Sequence, residues 1–181
     1  MNQSLTNPFV SVLIRSYNRL RYVIEIVDIC LAQNYDNFEV VVMEQSNTAE
    51  WEKYKSAFNR YDSRVRVIRS RPLGPIGARN VGVAHCKGAV VLFMDDDDLP
   101  VGEDWIASHA KHFVDPLCIG VSGKHVHAIN EKPRYRDMER AYDRCLTHSF
   151  LLRGRVFTGI GRVKNRWNGS TATIARSVEK G

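Results

Sequence analysis

Residues 89–94 (AVVLFM) are apolar without interruption, and the next four are all aspartate, Asp95 to Asp98, followed by Leu99 and Pro100. A short, continuous, β-branched apolar run is what a strand covered on both faces of a parallel sheet requires. Four carboxylates and a proline forbid its continuation, so the strand must stop near Met94 with its carboxyl end at open space. Like charges crowded at the exit of a buried strand repel strongly in a low-dielectric setting unless a cation neutralises them. In open α/β sheets the crevice at the carboxyl ends of the strands is also where ligands bind. Asp95 and Asp97, as alternate residues, could aim at one point while Asp96 aims elsewhere. Carboxylate oxygens suit Mg²⁺ or Mn²⁺, and with few protein ligands the rest of the metal shell is left for phosphate and water. The competing reading is a solvated acidic loop in which Asp98 or Asp104 caps the following helix and no metal binds. Calcium in an EF-hand is the poorer alternative, because the spacing with its glycine and distal glutamate is absent.

The rest of the chain predicts the sheet into which this strand fits. Residues 9–14 (FVSVLI) and 38–43 (FEVVVM) are further short apolar runs, and 64–69 (RVRVIR) alternates as a less deeply buried strand would. Between them Val23, Ile26, Val27, Cys30 and Leu31 recur at helical steps, with Asn18 as a candidate cap, and Trp51, Tyr54 and Phe58 mark a second helical face. Gly74-Pro75 breaks the chain, and Ala78, Val81 and Ala84 predict a short helix ending near Gly88. After the aspartates, Trp105, Ile106, His109 and Phe113 predict a helix, 118–121 a strand, and 170–175 (STATIA) a last strand; the arginine-rich region beyond Asn130 carries no clear period. Strands alternating with helices indicate βαβ units: an α/β fold with a mostly parallel, Rossmann-like central sheet flanked by helices.

At 181 residues the chain is expected to form a single domain. No apolar run approaches the ~20 residues of a membrane-spanning helix, and residues 1–8 are polar, so a cytosolic protein is expected. Cys30, Cys86, Cys118 and Cys145 are far apart, without CxxC or zinc-finger spacing, and read as reduced thiols. The net charge of +6 is concentrated between Lys132 and Arg166, where ten bases face only Asp137, Glu139 and Asp143. A sequence pI of about 9.3 permits nucleic-acid binding, but no helix-turn-helix, aromatic RNP pair or zinc knuckle is present, and the aspartates would repel a phosphate backbone.

Three segments, in order and spacing, resemble the inverting glycosyltransferases of family two with the GT-A fold. FVSVLIRSYNR looks like the family's first strand and Tyr-Asn-Arg turn, LAQNYDNFEVVVMEQS like the run into its second strand end, and GARNVGVAHCKGAVVLFMDDDD like its Ala-Arg-Asn helix and Asp-x-Asp strand end. The resemblance covers the chain from about Phe9 onward, with residues 9–100 as the nucleotide-binding half and 101–181 as an incomplete acceptor-side half. It implies transfer of a sugar from a nucleoside-diphosphate sugar to a hydroxyl acceptor. Tyr17 would stack on the base, Arg15 and Arg19 would reach base or phosphate, and Arg79 would hold the nucleotide with its guanidinium fork. Asp96 would bond the ribose hydroxyls, while Asp97, with Asp95 directly or through water, would hold Mn²⁺ or Mg²⁺ on the diphosphate. The metal's role there is that of a Lewis acid on the leaving nucleoside diphosphate.

The sequence departs from the family in two places. Where many members carry two aspartates at the second strand end, this chain has Glu44-Gln45. An amide both donates and accepts, so Gln45 can still pair with a base; a UDP-sugar is favoured, with GDP- and TDP-sugars left open. The family's acceptor-activating carboxylate lies downstream of the strand at 170–175, and the chain ends at Gly181 before it. No catalytic base is therefore named, and a nucleotide-sugar-binding module without transfer stands as the alternative. The basic stretch would suit an anionic glycan or lipid acceptor and peripheral contact with the inner membrane face; a homo-oligomer is compatible with all of this.

Overall fold

The computed structural model describes residues 6–96, 98–100, 102–115, 118, 120–122, 148–151, 155–164 and 171–179, and from Ser122 onward their backbone alone. The elements run β1 (Val10–Ser16), α1 (Leu20–Leu31), β2 (Phe38–Glu44), α2 (Thr48–Phe58), β3 (Val65–Arg69), α3 (Gly74–Val83), β4 (Val90–Met94), α4 (Trp105–Ala110), β5 (Gly120–Ser122), β6 (His148–Leu151), β7 (Arg155–Lys164) and β8 (Thr171–Glu179). Among them, six strands form one sheet in the order β3-β2-β1-β4-β6-β5, and β7 pairs with β8 in a separate ribbon. The first four strands in chain order are mutually parallel, whereas β6 runs antiparallel to both of its neighbours.

The apolar runs become strands because both of their faces are covered. Val10, Val12 and Ile14 of β1, Phe38, Val40 and Val42 of β2, and Val90, Leu92 and Met94 of β4 meet α1, α2 and α4 through Val23, Ile26, Val27, Cys30, Tyr54, Ile106 and Ala110. The alternate residues Leu13, Val41, Met43, Val91 and Phe93 face the opposite side, where Val83 and Cys86 come from α3 and the turn after it. Fully burying an aliphatic side chain of this kind contributes about 1.5–3 kcal/mol, so these interleaved layers hold the parallel strands in place.

Several local expectations are corrected. Helix α3 does not lie down on Val81 and Ala84, which are exposed; its buried residues are Ala78 and Gly82, four apart. A Cβ on Gly82 would sit 2.6 Å from Leu13 Cδ1 and 2.8 Å from Met43 Cγ, so the helix approaches the sheet too closely for the next larger residue. Asn18 does not cap α1: its φ is +56°, outside the extended range of an N-cap, and Arg19 takes that position without a side-chain cap bond. The helix after the aspartates is shorter than its apolar pattern, ending at Ala110 and continuing as a 3₁₀ turn over Lys111–Val114 that buries Phe113. Strands β6 and β7 lie in the region that lacked a period, and β8 extends beyond residues 170–175 to Glu179. Asp137, Glu139, Asp143 and Cys145 lie outside the described residues, as do the bases between 132 and 147.

Gly88, in the turn from α3 to β4, has backbone around it. A Cβ there would stand 2.5 Å from Ser11 N and 2.8 Å from Phe9 O, and the Gly88 N–H donates to Ser11 Oγ at 2.8 Å. Gly88→Ala must displace β1 itself and is expected to cost about 2 kcal/mol, measured by urea unfolding. Gly74→Ala meets open space and only the strain of its φ of +68°, for about 1 kcal/mol. Equal losses at the two positions would mean that β1 yields to the added methyl.

Candidate functional site

The sheet order places a topological switch point between β1 and β4. From β1 the chain moves outward through β2 to β3, then returns by α3 to β4 on the other side of β1. Strand connections diverge there, leaving a crevice at the carboxyl ends. The register pairs Ile14 with Met94, so the residues that follow, Arg15 and Asp95, are neighbours at its floor.

They form a fork-on-fork pair: Arg15 Nε donates to Asp95 Oδ1 at 2.9 Å, and Arg15 Nη2 lies 2.9 Å from Oδ2. Arg79, carried in by α3, donates from Nη2 to the same Oδ1. Its Nε is buried without an acceptor among the described residues, so that guanidinium keeps a donor to spare. Asp96 is 5% exposed, with Oδ1 3.7 Å from Arg19 Nη1. The Asp98 N–H reaches Asp95 O at 3.3 Å. The cation demanded by the crowded carboxylates is thus, at Asp95 and Asp96, arginine. Asp97 lies outside the described residues, and among those described no three acidic, histidine or cysteine side chains gather closely enough to hold a metal. Both oxygens of Asp95 face guanidinium, so a divalent ion bound here would depend on the aspartates that follow it and on ligand oxygens.

The loop from β1 to α1 forms one wall. Tyr17 is 54% exposed, free to offer a ring face, and the Asn18 N–H donates to Ser46 Oγ at 2.6 Å, fixing the left-handed turn. Arg19 and Tyr22 line an open groove of about 480 Å³ beside the crevice, with Lys53 across it. Gln45, expected to face a base, is instead buried and bonded to backbone: Oε1 accepts the Leu73 N–H at 2.9 Å and Nε2 donates to Ser16 O at 3.5 Å. The structure therefore brings Arg15, Arg79, Asp95, Asp96 and Arg19 together, sets Tyr17 at the rim, and turns Gln45 inward.

Beneath the loop lies a polar cluster that sequence reasoning missed. Ser16 Oγ and Tyr54 Oη are 2.7 Å apart, and Glu44, fully buried, accepts the Ser46 N–H through Oε1. Burial raises the Tyr54 hydroxyl above its ordinary pKa, the Ser16 bond opposes this, and the Glu44 carboxyl adds to the rise, so the phenol stays protonated. The available signal was a serine and a glutamate at the ends of two mostly apolar strands. Burial pushes the thiols of Cys30 and Cys86 up to about 12, far from the reactive thiolate range.

The comparisons with known proteins bear on the fold and the family. The chain is 31% identical over 155 residues to an uncharacterized glycosyltransferase of Rickettsia conorii, covering 86% of this chain and 24% of that protein. It is 32% identical over 91 residues to glycosyltransferase GlyG of Streptococcus pneumoniae, covering 50% of this chain and 30% of the relative. The chain thus spans about a quarter of the first of these relatives and under a third of the second. Among solved structures it is similar to a Pyrobaculum calidifontis mannosyltransferase in complex with GDP-Man and Mn²⁺, at a TM-score of 0.65 and 21% identity, over 80% of this chain and 45% of that one. A structure of S. aureus TarS 1-349 is similar at a TM-score of 0.50 and 23% identity, over 68% of this chain and 39% of that one. These likenesses identify the α/β architecture as the GT-A fold. The model of "Glycosyl transferase family 2" matches residues 11–174, a span that takes in Arg15, Arg79 and the strand-end aspartates, and the chain belongs to that family.

Proposed function

We propose that the crevice between β1 and β4 binds a nucleoside-diphosphate sugar and that the protein transfers its sugar to a hydroxyl acceptor. The observation that carries this reading is the sharing of Asp95 by Arg15 and Arg79. Two guanidiniums anchored by one carboxylate keep free N–H donors fixed at the switch point, where a diphosphate's oxygens are met. Arg15 and Arg79, with side chains 26% and 14% exposed, retain their remaining Nη donors for that purpose. Tyr17 at the rim supplies a ring face for the base, Asp96 accepts from the ribose hydroxyls with Arg19 beside it, and Asp95 orients the arginines.

The run Asp95 to Asp98 is the carboxylate-oxygen donor set that Mn²⁺ or Mg²⁺ takes, with Asp97 as the assigned ligand and Asp95 in support. Bound to the diphosphate, such an ion would neutralise the charge that develops on the leaving group. The solved relative in complex with GDP-Man and Mn²⁺ supports a metal-assisted nucleotide sugar as the ligand class. A UDP-sugar remains the favoured donor, with a GDP-sugar next.

Calorimetry of the protein with UDP-, GDP- and TDP-sugars tests this, in Mn²⁺ and then in excess chelator. Binding of at least one donor is expected, about tenfold weaker once the metal is removed, and Asp97→Asn should reproduce that loss in the presence of Mn²⁺. Absence of binding by every donor would remove the reading; binding indifferent to both chelator and Asp97→Asn would remove the metal. Release of nucleoside diphosphate on adding hydroxyl acceptors separates transfer from binding alone.

A further inference from the structure

We infer that Gln45 is a positioning residue that latches the loop ahead of α3, and through that helix the Arg79 guanidinium, and that it does not read the nucleobase. The inference rests on the crevice being a nucleotide site. Gln45 directly follows β2 and is 4% exposed. Its backbone N–H donates to Ser16 O at 3.1 Å, and its side-chain Nε2 reaches the same carbonyl at 3.5 Å. Its Oε1 accepts the N–H of Leu73 at 2.9 Å. A second stitch lies three residues earlier, where the Ser70 N–H donates to Glu44 O at 2.8 Å. The segment between β3 and α3 is thereby fastened to the end of β2 at both of its ends.

The coupling to Arg79 is steric. Leu73 is the N-cap residue of α3 and has no side-chain cap bond of its own. A Cβ on Gly77 would lie 2.8 Å from Leu73 Cβ, so the loop and the first turn of the helix are in direct contact. Two residues further on, Arg79 donates to Asp95. A shift of Leu73 is passed to the turn that aims this guanidinium, and Gln45 is the side chain that holds Leu73. To face a base, Gln45 would have to release the Leu73 amide, leaving that part-buried donor unpaired, while the Ser16 carbonyl would keep its backbone bond alone.

The test compares wild type, Gln45→Ala, Gln45→Met, Arg79→Ala and the double variant Gln45→Ala/Arg79→Ala, titrated with UDP, GDP and uridine in the presence of MnCl₂. Gln45→Met keeps the volume without the amide and serves should the alanine variant not fold. Both Gln45 variants are expected to lose about fivefold for UDP and for GDP alike, with uridine unaffected. In the Arg79→Ala background the Gln45 substitution should add nothing, since the two act as one unit. Hydrogen exchange supplies an arm that needs no ligand: the Leu73 amide should exchange faster in both variants while β1 and β2 stay protected. A loss confined to one nucleotide, or full additivity with Arg79→Ala, would overturn the inference, as would unchanged exchange at Leu73. If wild type binds no nucleotide, the donor-site reading fails, and the exchange arm still decides the latch.

Discussion

Arg79→Ala is expected to lower nucleoside-diphosphate affinity about thirtyfold, roughly 2 kcal/mol, while costing no more than about 1 kcal/mol of stability. The two effects separate because Asp95 has two partners. With Arg79 gone, its carboxylate still holds the bidentate Arg15 fork, so no charge is stranded, whereas a diphosphate loses one of the two guanidiniums fixed at the switch point. Asp95→Asn should cost more stability than Arg79→Ala and weaken nucleotide binding as well, because both arginines lose the carboxylate that orients them. It leaves two guanidiniums, with side chains 26% and 14% exposed, sharing a neutral amide whose own NH₂ must face one of them. Removing one partner of a fully buried pair costs about 3–5 kcal/mol; with Arg15 a quarter exposed and partly screened, about 2 kcal/mol is expected here. Urea unfolding beside calorimetry checks both variants. A large stability loss in Arg79→Ala with unchanged nucleotide affinity would show that the arginine serves the fold and not the ligand.

Glu39→Ala is expected to be the most destabilising single change, by about 3–4 kcal/mol, with nucleotide affinity unaltered in the protein that remains folded. Glu39 is 3% exposed and has an apolar residue on either side of it in β2. Oε1 accepts the Ser11 hydroxyl and the Lys87 N–H, each at 2.7 Å. Oε2 accepts from Arg66 at 2.8 Å and 3.2 Å. One carboxylate thus joins β1, β2, β3 and the turn before β4. Truncation strands the Ser11 hydroxyl donor and the Lys87 amide, and leaves Arg66, whose side chain is 28% exposed, without its carboxylate partner while it still holds the His85 carbonyl. Glu39→Gln keeps an acceptor for part of the network and should lose about half as much. At ~3.3 Å per residue along β2, Glu39 lies about 17 Å from the crevice end of that strand, which is why binding should be spared. A midpoint shift under about 1 kcal/mol for Glu39→Ala would mean that water replaces the network at little cost.

Much of the fold was legible because its cause is local. β1, β2 and β4 are doubly covered strands, and that condition writes itself into short, mostly apolar runs rich in β-branched residues. α1 was legible in the spacing of Val23, Ile26, Val27 and Cys30, which are its buried residues. α3 was misjudged in its face because close helix–sheet approach selects small residues, and Gly82 carries no hydrophobic signal although it sits against Leu13 and Met43. β6 and β7 escaped notice because their strandedness comes from antiparallel partners supplied by other parts of the chain.

The sequence alone determined that a buried strand ends in four carboxylates at the carboxyl-end face of an α/β sheet, since burial and charge are properties of single segments. What neutralises those carboxylates was decided only in three dimensions. Asp95 meets Arg15 across 80 positions and Arg79 across 16, and Gln45 meets Leu73 across 28. Such pairings depend on the register of β1 with β4 and on how closely α3 packs on the sheet, and an ion pair or hydrogen bond leaves no periodic trace in the chain that forms it.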